Sequence, residues 1–308
     1  MSSLFNYLIV AAKGVCMGAA DVIPGVSGGT IAFLTGIYPT LVNSIKSITP
    51  NAHLLLKGRI GEFLKNINAK FLFSVMAGIL VSIFSLAGLM KYLLEYHPIQ
   101  LWSFFFGLIL ASSVIVLREI KRWNIATFSA LFAGIAIAAY ICLVSPSETT
   151  NAYWFIFLSG AIAVCAMILP GISGSFILLL LGKYEFIMNA VAGLDAVVLV
   201  VFACGAVIGI LSFSHLLSWL LKKFYYATIA LLSGFMIGSL IKVWPWKEAV
   251  GVIDHPVLPG RFAELAGDSA GAISAGVVSA LVFAMIGAVV VVLLEHFAKR
   301  DNSAESMQ

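Results

Sequence analysis

Residues 14–43 read GVCMGAADVIPGVSGGTIAFLTGIYPTLVN, and residues 160–189 read GAIAVCAMILPGISGSFILLLLGKYEFIMN. The two stretches align without a gap at an offset of 146, which places Pro24 on Pro170 and Ser27 on Ser173. Each is an apolar helical pattern broken by a Pro-Gly pair. Broken apolar segments at matching places in two halves of a membrane protein indicate a transport site where the repeats meet.

The composition predicts a polytopic membrane protein. Of 308 residues, 61% are hydrophobic and only 10% are charged, with a mean hydropathy of +1.07. So few charges could not cover the surface of a soluble domain of this size. The first apolar run, residues 4–12, lacks the basic start of a cleavable signal peptide. No aromatic-basic pattern indicates nucleic-acid binding.

The cysteines give no sign of a metal or cofactor site. Four are present, and none has CxxC or metal-ligand spacing. We expect all four to be small buried hydrophobic residues, and we expect no cofactor. They are Cys16, Cys142, Cys165 and Cys204.

Six apolar runs are long enough to cross about 30 Å of hydrocarbon as helices. They are approximately residues 71–91, 99–117, 125–144, 197–221, 226–243 and 272–294. In each Pro-Gly segment a glycine lies 10 residues before the proline and another 12 after it. Arms of about 15–18 Å would follow, near half the core thickness, which favours a re-entrant hairpin over two bent full spans.

The predicted fold is an all-α polytopic membrane protein made of two inverted repeats, residues 1–145 and 146–308. Each has a re-entrant helical hairpin, at about 14–43 or 160–189, followed by three spans. A hairpin makes no net crossing and three spans make an odd number, so the halves must have opposite orientations. Twelve Lys and Arg residues then fall on one side and four on the other. The positive-inside rule makes the richer side cytoplasmic, with both termini there and the loop 244–271 outside.

The residues around each break suit an anion. Proline and glycine end the first arm, and the second arm then starts with N–H groups that have no helical partner. Two such helix starts near mid-membrane, with hydroxyl groups beside them, would bind an anion without a basic residue. The alternative is that these small residues only permit close helix packing. The candidate residues are Pro24, Gly25, Ser27, Gly28, Gly29 and Thr30 in the first hairpin, and Pro170, Gly171, Ser173, Gly174 and Ser175 in the second.

Charged residues near the hairpins have several possible roles. Asp21 lies in an apolar arm, where a carboxylate is costly and usually functional. It could carry a coupling proton, bind Na⁺, neutralise a cation or cap the hairpin tip. Lys13, Lys183 and Glu185 are expected to reach the membrane interface. The two lysines, Glu185 and Arg118 are also candidates for contact with an anionic headgroup.

The segments MGAADVIPGVSGGTIAFLTGIY and LPGISGSFILLLLGKYE resemble the bacterial polyprenyl-phosphate transporter family, and the resemblance covers essentially the whole chain. It implies a flippase of the bacterial plasma membrane that returns undecaprenyl phosphate, the lipid carrier of peptidoglycan synthesis, from the outer to the inner leaflet. The two motifs named above, with Asp21, match the family signatures. The chain departs from the family after Tyr38, where Pro39 replaces an expected acid, whereas Glu185 follows Tyr184.

Other functions remain compatible with the residues alone. A small-anion channel or exchanger would also use broken helices whose N-termini face an anion. An intramembrane enzyme would need a nucleophile with a base, and none of the five histidines lies in a hairpin. A purely structural protein leaves the duplicated Pro-Gly breaks unexplained. The coupling ion, proton or sodium, is not fixed, and a homo-oligomer is compatible with the sequence.

Overall fold

The computed structural model describes residues 3–21, 27–143, 149–250, 253–266 and 270–305, and these form helices joined by short turns, with one small β-hairpin. The first half begins with α1 (Ser3–Asp21), α2 (Gly28–Leu34) and α3 (Tyr38–Lys46). Three short helices follow, α4 (Ile48–Asn51), α5 (His53–Leu56) and α6 (Ile60–Asn66). The long helices α7 (Ala69–Tyr96), α8 (Pro98–Leu117) and α9 (Ile125–Leu143) complete it.

The second half repeats this order. It begins with α10 (Tyr153–Ile168), α11 (Gly174–Leu180) and α12 (Tyr184–Ala192). The helices α13 (Ala196–Lys223) and α14 (Tyr225–Ser239) follow directly. An antiparallel pair, β1 (Lys247–Val250) and β2 (Ile253–Pro256), precedes α15 (Pro259–Ala266) and α16 (Ala270–Glu305).

The prediction of an all-α polytopic membrane protein is confirmed. Each of the six predicted spans coincides with a helix, namely α7, α8, α9, α13, α14 or α16. In the described part of the chain, four helices are long and apolar enough to cross a membrane, and six if each bent helix pair counts as one span. The helix α14 has only 15 residues. The loop 244–271 holds the β-hairpin and the short α15, and α16 extends to Glu305.

The hairpin arms differ in length from the prediction. The outer arms α1 and α10 have 19 and 16 residues, so they are ~28 and ~24 Å long. The returning helices α2 and α11 have only seven residues each, or ~10 Å. Two residues after the end of each lies a glycine with positive φ, +73° at Gly36 and +61° at Gly182, where an L side chain would be strained. A third helix, α3 or α12, then begins.

Gly14 and Gly160 do not end the arms as we expected. They lie inside helices at points where a second helix backbone comes close. A Cβ on Gly14 would lie 2.4 Å from the Val75 carbonyl oxygen, and one on Gly160 would lie 2.3 Å from that of Phe202. The two glycines are therefore packing contacts between each outer arm and the first span of its half.

The packing repeats as the sequence does. Gly78 of α7 meets the Ala11 carbonyl of α1, and Gly205 of α13 meets the Phe157 carbonyl of α10. The arm residues differ by 146, which is the offset of the repeated motif, and the span residues differ by 127. Each half thus packs its first span against its hairpin in the same way. The inverted orientation of the halves stays a prediction.

The compact units of the protein are not the sequence repeats. One unit comprises Met1–Ala87 and Ser147–Thr228, and the other comprises Gly88–Pro146 and Ile229–Gln308. The first unit therefore contains both hairpins and most of the first span of each half. Within the second unit, α8 packs on α16, where Gly107 meets the Ala284 carbonyl, and α9 packs on α14, where Gly134 meets the Leu231 carbonyl. Each unit combines elements from both halves, so the division at 145/146 applies to the sequence repeat alone.

Candidate functional site

The first hairpin tip is closed by its own side chains. Ser27 is the N-cap of α2, and its Oγ accepts the Gly29 N–H at 3.1 Å. The Asp21 carboxylate, on the last residue of α1, accepts the Gly28 N–H at 2.7 Å. Serine and aspartate are suited to these places because their oxygens satisfy N–H groups that a helix start leaves without a partner. Pro24 and Gly25 lie outside the described residues.

The first tip is bonded to the second. The Ser27 hydroxyl lies 3.2 Å from the Met167 carbonyl oxygen and 3.1 Å from that of Leu169. The Gly171 N–H donates to Thr30 Oγ1 at 2.9 Å. Both hydroxyl residues are fully buried. We call this contact, formed by residues 27–30 and 167–175, the tip junction.

Glycine is required at the tip junction by close approach. A Cβ on Gly29 would lie 2.5 Å from the Ile168 carbonyl oxygen, so any larger residue would separate the tips. Gly171, directly after Pro170, has φ of +85°, in the region that favours glycine. Gly29 and the second Pro-Gly pair therefore shape a contact between two backbones.

At the second tip, fewer of the described polar groups have hydrogen-bond partners than at the first. Ser173 is the N-cap of α11 but makes no capping hydrogen bond, and its hydroxyl pairs instead with that of Ser175 at 2.8 Å. Among the hydrogen bonds of the described residues, the N–H groups of Gly174 and Ser175 reach no protein acceptor. Two backbone donors and two hydroxyls thus lie together at the start of α11. Such donors suit the oxygens of an anion.

Asp21 accounts for the difference between the tips. A Cβ on Gly28 would meet the Asp21 carboxylate and the Met17 carbonyl, and one on Gly174 would meet Met167 and the Ala163 carbonyl. These neighbours correspond at the offset of 146, so the tips share one local geometry. Met167 stands in the place of Asp21 and cannot accept a hydrogen bond of comparable strength. Asp21 is therefore a cap at the tip, one of the four roles considered for it.

Lys13 and Lys183 form hydrogen bonds with oxygens close to the ends of the returning helices. Lys13 Nζ donates to the carbonyl of Thr35, the C-cap of α2, at 3.0 Å. Lys183 Nζ donates to the Thr149 carbonyl at 2.9 Å and to Asn151 Oδ1 at 2.8 Å, and only 1% of this residue is exposed. The ammonium group also lies over the rings of Phe155 and Phe186. Neutral oxygens and aromatic rings thus enclose the Lys183 ammonium group, and the expectation that Lys183 reaches the membrane interface stays a prediction.

The remaining charged candidates lie at exposed helix ends. Glu185 is in the first turn of α12, and Arg118 is the C-cap of α8 in the second compact unit. Pro39, where the family pattern has an acid, occupies the first turn of α3. Proline is favoured there because it has no N–H to lose, and an acid is favoured because it faces the positive helix end. Both proline and an acidic residue are therefore ordinary choices for the first turn of such a helix.

The structure contains a polar link between α3 and α13 whose residues were not among the site residues predicted from the sequence. Ser218 Oγ donates to Asn43 Oδ1 at 2.9 Å and accepts from Lys46 Nζ at 3.2 Å. Asn43 belongs to the repeated motif and corresponds to Asn189, which was a signal of its importance. Thr149 and Asn151, which hold Lys183, gave no signal because they precede the second motif. Of the cysteines expected to be buried, Cys142 is buried, Cys165 is partly exposed, and Cys16 and Cys204 are exposed on helix surfaces.

Comparison with known proteins shows the family of the chain. A family model described as "Undecaprenyl phosphate translocase-like" matches residues 17–256. A protein of Vibrio cholerae named polyprenyl-phosphate transporter is 50% identical over 247 residues, which cover 80% of either chain. One of Staphylococcus aureus with the same name is 35% identical over 256 residues, 76% of this chain and 84% of that protein. No solved structure matches the chain.

Proposed function

Because the chain belongs to the undecaprenyl phosphate translocase-like family, we propose that it is a flippase for undecaprenyl phosphate in the bacterial plasma membrane. It returns the carrier from the outer to the inner leaflet for reuse in cell-wall synthesis. The names of both relatives support a polyprenyl phosphate as the substrate. The direction rests on the need to recycle a carrier that is released outside.

The headgroup binds at the tip junction, on the side of α11. The observation that carries this proposal is a set of donors at Gly174 and Ser175 for which the described part of the chain offers no acceptor, beside the hydroxyls of Ser173 and Ser175. Hydrogen bonds from such groups to a charged phosphate contribute about 1.5–3 kcal/mol each. Because α11 has only two turns, the local N–H and O–H groups matter more than a helix dipole.

The first hairpin has a supporting role in this proposal. The Ser27 and Thr30 hydroxyls bond to the backbone of the second tip, and Gly29 allows the close approach, while Gly28 leaves room for the Asp21 carboxylate. Since Ser27 and Thr30 are fully buried, the junction is closed in this structure. Entry of a headgroup therefore requires the tips to separate, which would break these two bonds and expose the donors of both tips.

Asp21 couples the cycle to protons. When ionised, the Asp21 carboxylate places a negative charge at the start of α2. It then repels a phosphate at the adjacent tip, because charges interact strongly where the dielectric is low. When protonated, it tolerates the phosphate. An inward proton gradient would then drive the carrier inward. Asp21→Asn should keep the cap to Gly28, since an amide oxygen also accepts, but should abolish the pH dependence of transport. A wild-type pH profile in this variant, or dependence on Na⁺ instead, would exclude proton coupling through Asp21.

The halves are inverted, with both termini in the cytoplasm. This topology is proposed because 12 basic residues fall on one side and four on the other. The inversion would place the two tips back to back near mid-membrane, where the headgroup crosses while its prenyl chain stays in lipid.

Transport can be measured in proteoliposomes that contain polyprenyl phosphate. A membrane-impermeant phosphatase added outside hydrolyses only the outer leaflet, so about half of the carrier remains in protein-free vesicles. With the wild-type protein, hydrolysis should proceed to completion, and Ser173→Ala/Ser175→Ala should slow it at least about tenfold. If hydrolysis stops at half of the carrier in vesicles that contain folded wild-type protein, the proposed function is refuted. Rapid chloride or phosphate flux without carrier movement would instead indicate the small-anion channel or exchanger.

A further inference from the structure

A cavity of about 540 Å³ lies in the first compact unit, away from the tip junction. It is formed by the start of α1, by α6 and by the start of α7. Its lining residues with hydrogen-bond donors are Tyr7, Lys65, Asn68 and Lys70, and its other lining residues are Gly61, Leu64, Ala69 and Phe73. The proposed transport function does not use this cavity.

The donors in the cavity match a phosphate diester. Within the described residues, neither Lys65 nor Lys70 has a carboxylate or a hydrogen-bond acceptor for its ammonium group. Tyr7 adds a hydroxyl and Asn68 adds an amide. Leu64 and Phe73, exposed by 38% and 68%, provide apolar surface next to these donors. Cations beside apolar surface are the chemistry of an anionic lipid, with its phosphate on the lysines and its acyl chain on the apolar side chains.

The segment that carries the cavity has the character of a membrane-surface element. Residues 48–68, here called the interfacial segment, have a small core of Leu54, Phe63 and Ile67 packed with Ala69. On their outer side Leu56 and Ile60 are exposed by 92% and 56%. Large apolar side chains with this exposure are stable in lipid rather than in water. The segment is also basic, with Lys57, Arg59 and Lys65 against the single acid of the segment, which Arg59 pairs.

We propose that the cavity binds the phosphate of an anionic bilayer phospholipid, and that the interfacial segment lies in the headgroup layer with Leu56 and Ile60 inserted. Charge complementarity selects this occupant: Lys65 and Lys70 attract an anionic leaflet, and the apolar side chains favour its acyl chains. A zwitterionic lipid lacks the net charge. The site is structural or regulatory and is independent of the carrier pathway, so it would remain if the transport function proved different.

Lipid retention by the full-length protein in detergent tests the cavity. In native mass spectrometry with phosphatidylglycerol, Lys65→Gln/Lys70→Gln should weaken binding about thirtyfold, since each lysine near an anionic surface contributes ~1 kcal/mol. The matched control is Lys222→Gln/Lys223→Gln at the end of α13, which should change it less than twofold. Equal retention of phosphatidylcholine and phosphatidylglycerol, or equal losses in both variants, would overturn the proposal. So would a site that takes up only polyprenyl phosphate.

Spin labels test the position of the interfacial segment. On a background without the four native cysteines, nitroxides at Leu56→Cys and the neighbouring Lys57→Cys are compared in liposomes containing phosphatidylglycerol. The label at Leu56 should collide mainly with oxygen, and the label at Lys57 mainly with a water-soluble nickel complex. Similar exposure of both labels to the nickel complex would show that the segment lies in water, and the proposal would fail.

Discussion

Replacing Ser27 with alanine distinguishes two roles that its motif allows, namely binding of the headgroup and capping of α2. By its place in the repeat, Ser27 should bind the headgroup as Ser173 does. In the structure its hydroxyl instead caps α2 and lies against the carbonyls of Met167 and Leu169. Among the described residues, its counterpart Ser173 makes no capping hydrogen bond and pairs with Ser175. The two alanine variants should therefore differ in kind.

The expected magnitudes follow from the bonds lost. Ser27→Ala removes an N-cap, which costs about 1 kcal/mol, and a buried hydrogen bond between the tips, which costs about 1 kcal/mol more. The free energy of unfolding should fall by ~2 kcal/mol. Ser173→Ala removes one hydroxyl pair beside a partly exposed residue and should cost less than ~1 kcal/mol. For headgroup affinity the order reverses, because Ser173 is a direct donor to a charged group and its loss should weaken binding about tenfold or more.

Two assays on the same purified proteins decide between the roles. SDS titration in mixed micelles gives the free energy of unfolding, and binding of radiolabelled polyprenyl phosphate gives the affinity. The reasoning is refuted if both variants lose equal stability, since the asymmetry of the tips would then have no energetic meaning. It is also refuted if Ser27→Ala keeps wild-type stability but loses the headgroup, because Ser27 would then be a ligand.

Three further predictions test the packing and the topology. Gly78→Ala should destabilise the protein by about 1–3 kcal/mol, because its Cβ would lie 2.1 Å from a backbone oxygen, whereas Gly88→Ala in the same helix meets nothing within 4 Å and should be neutral or stabilising in thermal unfolding. Thr30→Val should cost about 1–3 kcal/mol by leaving a buried N–H of the second tip without its acceptor, and Thr30→Ser should restore most of this. In intact cells, an impermeant maleimide should label Gly260→Cys but not Lys57→Cys on a cysteine-free background, and the reverse pattern would invert the proposed topology.

Much of the fold was predictable because the membrane limits the alternatives. Runs of about 20 apolar residues must be helices, since lipid offers no partner to a bare backbone. The turns at Gly36 and Gly182 were also predictable, because the glycines recur at equal distance from each proline. Gly14 and Gly160 were misread as arm ends. Glycine serves both turns and close helix contacts, and only the neighbouring backbone of α7 or α13 distinguishes the two.

The residues of the tips were predictable, but their partners were not. The motif placed Ser27 and Thr30 at a helix start, and that is where they lie. Whether such a hydroxyl faces a ligand or another backbone depends on a segment about 140 residues away in sequence, which no local pattern specifies. The same holds for Lys183, whose buried ammonium group donates hydrogen bonds to Thr149 and Asn151.

The asymmetry between the tips gives the proposed cycle its physical logic. Two identical tips would offer two equivalent anion sites, and a single headgroup would have no reason to respond to pH. Here one tip has its own carboxylate, Asp21, bonded to Gly28, while Met167 leaves the other without one. The bonds of Ser27 join these tips directly. A phosphate on the second tip therefore approaches a carboxylate on the first, and in a low-dielectric junction the two anions cannot both remain charged at low cost. Protonation of Asp21 removes that cost, so occupancy by the headgroup and occupancy by a proton should favour each other, which is the thermodynamic requirement for coupling.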